Sequence, residues 1–206
     1  MRNAILLLCI LLTTSVHAAE LAAGAQHVIG QAMGEERFDG GELTIEEGRG
    51  FAAFVDVFWS ERFSTRAAAT FINPVVVLFS DTPPPADVDL GTLGLDIYSA
   101  TARVHFAPRA RISTFAGAGG AVVVIGNLED RFSDDLELVF DPEITFVVEG
   151  GVRYRVTPRI TVELSAAYLP LEAKPDVLRA NDPRIPLPAT VSVDPLIVSV
   201  GASWRF

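Results

Sequence analysis

The sequence predicts an all-β protein, an eight-stranded antiparallel up-and-down transmembrane β-barrel. Three observations carry that expectation. The closing segment alternates, with Leu196, Val198, Val200, Ala202, Trp204 and Phe206 on one face and Ile197, Ser199, Gly201, Ser203 and Arg205 on the other. A period of two is a strand. Aromatic residues recur eight apart, an even spacing that keeps both members of a pair on one face. Connections alternate long and short, as in a barrel with tight turns at one rim and long loops at the other.

The chain of 206 residues suits one domain. Met1-Arg2-Asn3, an apolar run over 4–12 and Val16-His17-Ala18 predict a secretory signal peptide over 1–18, cleaved before Ala19, with the barrel domain over 19–206. The run is too short to span a bilayer. Cys9 lies inside the signal behind Leu8, where a lipoprotein signal needs a small residue, so the exported chain has no thiol chemistry. Loss of Arg2 leaves 15 Lys and Arg against 26 Asp and Glu, a net charge of −11, which argues against nucleic acid as a partner. Half the residues are apolar, yet the longest aliphatic and aromatic run after the signal is 75–79. No transmembrane helix follows from that, whereas a closed barrel can cross a bilayer because every backbone group pairs with a neighbouring strand. The expected location is the cell outer membrane, among its lipids.

The first strand, over 19–33, alternates weakly and is required by the even count. Residues 34–50 are polar and Gly-rich, a loop. The second strand, 51–59, carries Phe51, Val55, Val57 and Trp59 on one face. Ser60-Glu61-Arg62 turns the chain into a third strand over 63–79. Residues 80–92, with Pro83-Pro84-Pro85, form a loop, since proline removes a ladder donor. Strand four spans 93–106, residues 107–111 turn, and strand five spans 112–125, so rich in glycine that its facing is not readable. Residues 126–142 form an acidic loop with Glu129, Asp130, Asp134, Asp135, Glu137 and Asp141, without the ordered Gly and Glu spacing of a dedicated Ca²⁺ loop. Strand six spans 144–156, Thr157-Pro158-Arg159 turns, strand seven spans 160–169, and 170–190, with five prolines, is the last long loop.

Alternation alone equally fits a secreted soluble barrel with its apolar face inward. The aromatic positions favour the membrane: Phe51 and Trp59, Phe63 and Phe71, Tyr98 and Phe106, and Phe146 and Tyr154 are each eight apart, and Tyr168 stands eight after Ile160. Eight residues at ~3.4 Å, tilted by ~40°, cover roughly 21 Å of the bilayer normal, near the ~25 Å apolar band with aromatic edges of such barrels. With Trp204 and Phe206 these residues form the expected membrane girdle.

Parity then places their neighbours in the lumen. Pairing Trp59 with Phe63 sets Asp56 opposite Arg66; pairing Val156 with Ile160 sets Arg155 opposite Thr161 and Arg153 opposite Glu163. Arg103, His105, Glu149 and Arg205 fall inside at the same short-turn end. Arg or Lys on the lipid face would cost about 2–4 kcal/mol each at midplane, so the inward assignment is favoured. Asp56, Arg66, Arg103, Glu149, Arg153, Arg155, Glu163 and Arg205 are the expected lumen charge plug. Towards the long loops the inward residues turn apolar: Phe54, Ile72, Leu95, Ile97, Val147, Leu169 and Ile197 are the candidate ligand-binding lining. The same side chains would also suffice to fill the barrel, since eight strands enclose little more than side-chain volume or one small ligand. Pro74, Pro170 and Pro195 sit near upper strand ends; Pro170 and Pro195, on adjacent strands, leave either a side opening or an ordinary strand-to-loop boundary.

Val193-Asp194-Pro195-Leu196, with Gly201-Ala202-Ser203-Trp204-Arg205-Phe206, resembles the closing strand of the OmpW family of outer-membrane barrels. Gly150-Gly151-Val152-Arg153-Tyr154, the Thr157-Pro158-Arg159 hairpin and Gly117-Ala118-Gly119 are similar to that family too. The resemblance covers roughly 43–206 and departs from the family in the first strand. It implies an eight-stranded barrel with a hydrophobic lumen that admits small hydrophobic molecules and releases them sideways into the membrane. The terminal aromatic Phe206 looks like the signal read by the barrel assembly machinery.

The leading expectation is therefore passive passage or binding of small hydrophobic solutes through an apolar pocket above a charged plug. The alternative is a structural or adhesive OmpA-like barrel acting through its extracellular loops. An enzyme is not expected: a lipid hydrolase needs a base near the outer leaflet, and the exported chain has only His27 and His105, the latter at the short-turn end. No cofactor or metal is expected.

Overall fold

Two turns with the same chemistry set the register of two hairpins. Ser60 Oγ accepts from the backbone N–H of Arg62 and Phe63 at 3.3 and 3.2 Å, while the N–H groups of Trp59 and Ser60 donate to the Phe63 carbonyl. Thr157 Oγ1 likewise accepts from Arg159 and Ile160 at 3.3 and 2.9 Å, and the N–H groups of Val156 and Thr157 donate to the Ile160 carbonyl. A hydroxyl at the head of a three-residue turn satisfies donors that would otherwise point into solvent. Asp56 consequently stands opposite Arg66, and Arg153 opposite Glu163. The third short turn closes through Ala110 N–H to the Ala107 carbonyl, with Ala107 in the left-handed region at φ 49°.

The computed structural model describes residues 20–31, 35–38, 41–45, 47–80, 86–126, 136–173, 175–179, 185–186, 191–193 and 195–206. Eight strands form the wall: β1 (Glu20–Gln31), β2 (Gly48–Phe58), β3 (Phe63–Asn73), β4 (Leu95–Phe106), β5 (Ile112–Ile125), β6 (Glu143–Arg155), β7 (Ile160–Tyr168) and β8 (Leu196–Arg205). Each pairs antiparallel with its sequence neighbours, and β8 returns to β1, so the barrel is closed and has no edge. The weakly patterned first segment is thus a full wall strand.

The register fixes the barrel's dimensions. A walk around the wall starts at Glu20 and passes through Phe58, Ser64, Arg103, Gly117, Glu149, Ala167 and Ile197. It returns to β1 at Gly30, a stagger of 10 residues. Eight strands with that stagger tilt by roughly 40° and enclose a backbone cylinder of about 8 Å radius, which side chains can fill.

Several boundaries differ from the sequence expectation. β3 ends at Asn73 and not at Phe79, because Pro74 has no N–H to continue the ladder; Val75–Ser80 then pairs with Gly41–Ile45 and Ala86–Thr92 outside the wall. Segments read as loops also hold strands. Glu35–Phe38, Gly41–Ile45 and Ala86–Thr92 form one sheet with Val75–Ser80, the segment read as the end of the third strand; Leu136–Phe140, Pro175–Arg179 and Ile185–Pro186 form a second; and Leu171–Ala173 pairs with Val191–Val193, which lies beyond the expected loop, in a third. Gly48, placed in a loop, begins β2. The expected signal peptide over 1–18, Pro83-Pro84-Pro85, and the acids Glu129, Asp130, Asp134 and Asp135 lie outside the described residues.

The facing of β5, unreadable in the sequence, follows from burial: Phe115, Ala121, Val123 and Ile125 are buried while Val122 and Val124 are exposed. Gly117 and Gly119 share the inward parity. At Gly117 the missing side chain makes room for an ion pair, since a Cβ there would lie 3.0 Å from Arg103 Cγ and 3.1 Å from Glu149 Oε1. At Gly24 on β1 a Cβ would lie 2.4 Å from the Phe54 ring. Small inward residues beside large ones are how a narrow barrel is packed.

Candidate functional site: the barrel lumen and its two ends

The outer surface reverses the pattern of a water-soluble protein. Leu21, Val55, Val104, Val122, Val152, Leu164 and Val200 are exposed, and the girdle brackets them. Phe51, Tyr98 and Phe146 are exposed towards the long loops; Trp59, Phe63, Phe106, Tyr154, Trp204 and Phe206 are exposed towards the short turns. Phe71 and Tyr168 are half-buried. Phe71 packs 5.1 Å from Phe51 and edge-on to Tyr98 at 6.3 Å, forming a continuous aromatic arc. An apolar band with aromatic margins around a closed wall is the surface of a protein that spans a bilayer with strands.

Inside, charged side chains cross the lumen at the short-turn half. Arg66 on β3 donates through Nε and Nη2 to both oxygens of Asp56 at 2.7 and 2.9 Å. It also donates through Nη1 and Nη2 to Glu163 on β7, the strand diametrically opposite, at 2.7 and 3.1 Å. Arg103 on β4 donates to Glu149 through Nε at 2.7 Å and through Nη2, and to Glu163 through Nη1 at 3.3 Å. Arg153 adds an ion pair to Glu163 at 3.6 Å. Three arginines therefore meet Asp56, Glu149 and Glu163, so the cluster is neutral. Removing six charges from water is tolerated only with such pairing. Gln26, donating to Glu163 at 3.2 Å, and Thr101, donating to Glu149, complete the acceptors' shells.

Arg155 and Arg205, grouped with these charges by parity, belong elsewhere. Arg155 Nη2 donates to the Pro108 carbonyl at 2.5 Å, and Arg205 pairs with Glu20 at 2.8 Å with its guanidinium 4.5 Å over the Phe58 ring. Both line a cavity of about 330 Å³ at the short-turn mouth, together with Arg109, Glu61, Pro108 and Pro158. This cavity is not legible in the sequence, since the 107–111 and 157–159 turns come together only when the barrel closes.

The seven candidate lining residues are all buried. Ile72, Leu95, Ile97, Val147, Leu169 and Ile197 join Val28, Ala52, Leu93, Ala121, Val123, Ile125 and Leu171 in one buried apolar cluster in the lumen towards the long loops. Phe54 stands apart at the boundary, its ring 3.6 Å from the Arg66 guanidinium, and so caps the charged layer. Sequence reasoning missed Val28 and Gln26 because both lie on the weakly patterned first strand; its even positions, read as inward, would have found them.

Ser64 and His105 lie 2.8 Å apart inside the barrel. Arg153 Nη1 meets His105 Nδ1 at 3.4 Å. Arginine offers donors only, so Nδ1 accepts, Nε2 carries the proton and donates to Ser64. An imidazole in that tautomer cannot take the serine's proton, as nucleophilic activation would need.

Closed wall, apolar exterior and charged interior define a transmembrane β-barrel of the outer-membrane type. No protein-family model matches the chain, and no curated protein does. Solved structures do match. The outer membrane protein OprG from Pseudomonas aeruginosa is similar with a TM-score of 0.68 at 9% identity, over 92% of this chain and 96% of that one. The outer membrane protein AlkL in DMPC lipid bilayers gives 0.62 at 14% identity, over 94% and 93%. Ail, the attachment invasion locus protein of Yersinia pestis, in complex with the heparin analogue sucrose octasulfate, gives 0.54 at 13% identity, over 92% and 100%. At these identities the likeness shows the fold, a closed eight-stranded outer-membrane barrel, which is the architecture expected from the sequence.

Proposed function

We propose that the barrel admits small hydrophobic molecules from its long-loop end and releases them sideways into the membrane. The observation that carries this is the two-layer lumen: an apolar upper cluster over a neutral, hydrogen-bonded charged floor. An apolar solute entering from above leaves water for an apolar environment, whereas the floor offers it only paired charges whose separation costs several kcal/mol. Sideways release is the remaining route. The seam between β7 and β8 is the weakest candidate wall: regular pairing runs to Tyr168 and Leu196 and resumes at Leu171 and Val193, bridged by the Leu169 N–H donating to the Pro195 carbonyl at 3.3 Å, while Pro170 and Pro195 have no N–H to add to the ladder. Export behind a signal over 1–18 and assembly through Phe206 are part of the same proposal.

The test places a charge in the apolar layer. Ile197→Asp should abolish entry of an apolar solute into liposomes carrying the barrel, while heat-modifiable mobility shows that it still folds. Undiminished entry would refute the route. The competing reading is a structural or adhesive barrel acting through its loops, favoured by the sheets those loops form and by the likeness to Ail. In that case deletion of 126–142 should remove function and Ile197→Asp should not.

A further inference from the structure

The cavity at the short-turn mouth lies below the charged floor, away from the proposed solute route. Its charge balance is uneven. Arg109, Arg153, Arg155 and Arg205 line it against the single acid Glu61, in a protein whose net charge is −10. Arg153 is matched within the neutral cluster above. Arg109 is bound by Glu61 at 2.9 Å, and Arg205 by Glu20 at 2.8 Å. The partner described for Arg155 is a neutral backbone carbonyl, that of Pro108. A half-buried guanidinium has five donors and no way to lose its charge, so one carbonyl leaves most of its capacity to solvent or to a bound anion.

We infer that this cavity is a binding site for a small oxyanion, a phosphate or carboxylate group, held by Arg155 with Arg205 and Arg109 at its margins. Arg155 presents a planar fork suited to two oxygens of one anion. Thr161 and Ser203, which also line the cavity, are neutral side chains able to donate through their hydroxyls. A volume of about 330 Å³ accommodates a small solute carrying such a group. Apolar surface from Ala22, Pro108 and Pro158 suits a compact, partly apolar body. The same chemistry is presented by a soluble anion in the periplasm and by the phosphodiester of an inner-leaflet lipid.

The test measures binding to the protein in nanodiscs. Inorganic phosphate is titrated in nanodiscs of phosphatidylcholine alone, and lipid retention is read by native mass spectrometry in nanodiscs containing phosphatidylglycerol. Arg155→Gln should weaken phosphate binding, or retention of phosphatidylglycerol, by roughly tenfold or more, and Arg155→Lys should weaken it less because the charge remains. Arg111→Gln is the control, since Arg111 lies over Tyr154 on the outer face at 5.0 Å. Effects confined to phosphate assign the site to a soluble anion; effects confined to phosphatidylglycerol assign it to lipid. Absence of binding in both arms, or equal loss with Arg111→Gln and Arg155→Gln, would overturn the inference by reducing it to the general field of a basic rim. Solute entry through the upper lumen should be unchanged in Arg155→Gln, so the two proposals fail separately.

Discussion

Arg66 holds both oxygens of Asp56 on the neighbouring strand while reaching across the full width of the lumen to Glu163. The two acids together take all three of its nitrogens, so neither can be lost without stranding charge. Asp56→Ala should destabilise the barrel by about 3–5 kcal/mol, the usual cost of orphaning a buried partner. The double variant Asp56→Ala with Arg66→Ala keeps the cluster neutral and should recover a large part of that loss. Equilibrium unfolding in urea with lipid vesicles measures both; a double variant as unstable as the sum of the two singles would show that the pair is not coupled.

Opening the charged layer should not open a pore. Above it, thirteen buried apolar residues surround the lumen with a layer that offers ions no ligand. Asp56→Ala with Arg66→Ala should therefore leave ion conductance across planar bilayers at the wild-type baseline, because ions would still have to cross a dry apolar constriction. Resolved channel events in that variant would mean that the upper cluster does not close the barrel, and would widen the range of solutes it could pass.

How far the sequence could be read depends on the distance over which each contact is set. The pairs Asp56 with Arg66 and Arg153 with Glu163 follow from two three-residue turns, and local turn chemistry is visible in the residues. The bond from Arg66 to Glu163 is not visible, because it depends on closure of the barrel and on a stagger of ten residues accumulated over eight pairings. For the same reason parity placed Arg155 and Arg205 inside but could not separate them from the cluster above. Pro74 was legible as a weak point, yet the aliphatic run after it imitated a continuing strand. The facing of β5 was hidden because glycine carries no polarity, and here glycine is what the lumen requires.

That requirement can be tested at Gly117. A methyl group there would lie 3.0 Å from Arg103 Cγ and 3.0 Å from the Ala102 carbonyl oxygen. Gly117→Ala should destabilise the barrel by about 1–3 kcal/mol, as overpacking does, by displacing Arg103 from Glu149. Gly120 offers the contrast on the same strand: a Cβ there meets nothing nearer than 3.8 Å. Gly120→Ala should be neutral or stabilising by up to about 1 kcal/mol through the unfolded chain. Unfolding midpoints of the two variants measured side by side decide the matter; equal shifts would refute a packing role for Gly117.

The lipid-facing assignment makes a prediction that depends on depth. Leu164 lies at the middle of β7, exposed, beside Val152 and Val200 of the neighbouring strands. Leu164→Arg puts a guanidinium near the centre of the apolar band and should cost about 2–4 kcal/mol. Ile160, four residues nearer the short turn and level with Trp204, lies at the aromatic margin. There an arginine can extend its charged end into the interface, and Ile160→Arg should cost only about 0–1 kcal/mol. In a barrel whose outer face met water, both positions would tolerate arginine equally well. Equilibrium unfolding from vesicles therefore tests the bilayer as the solvent of this surface: a gradient between the two positions supports it, and equal, small costs would exclude it.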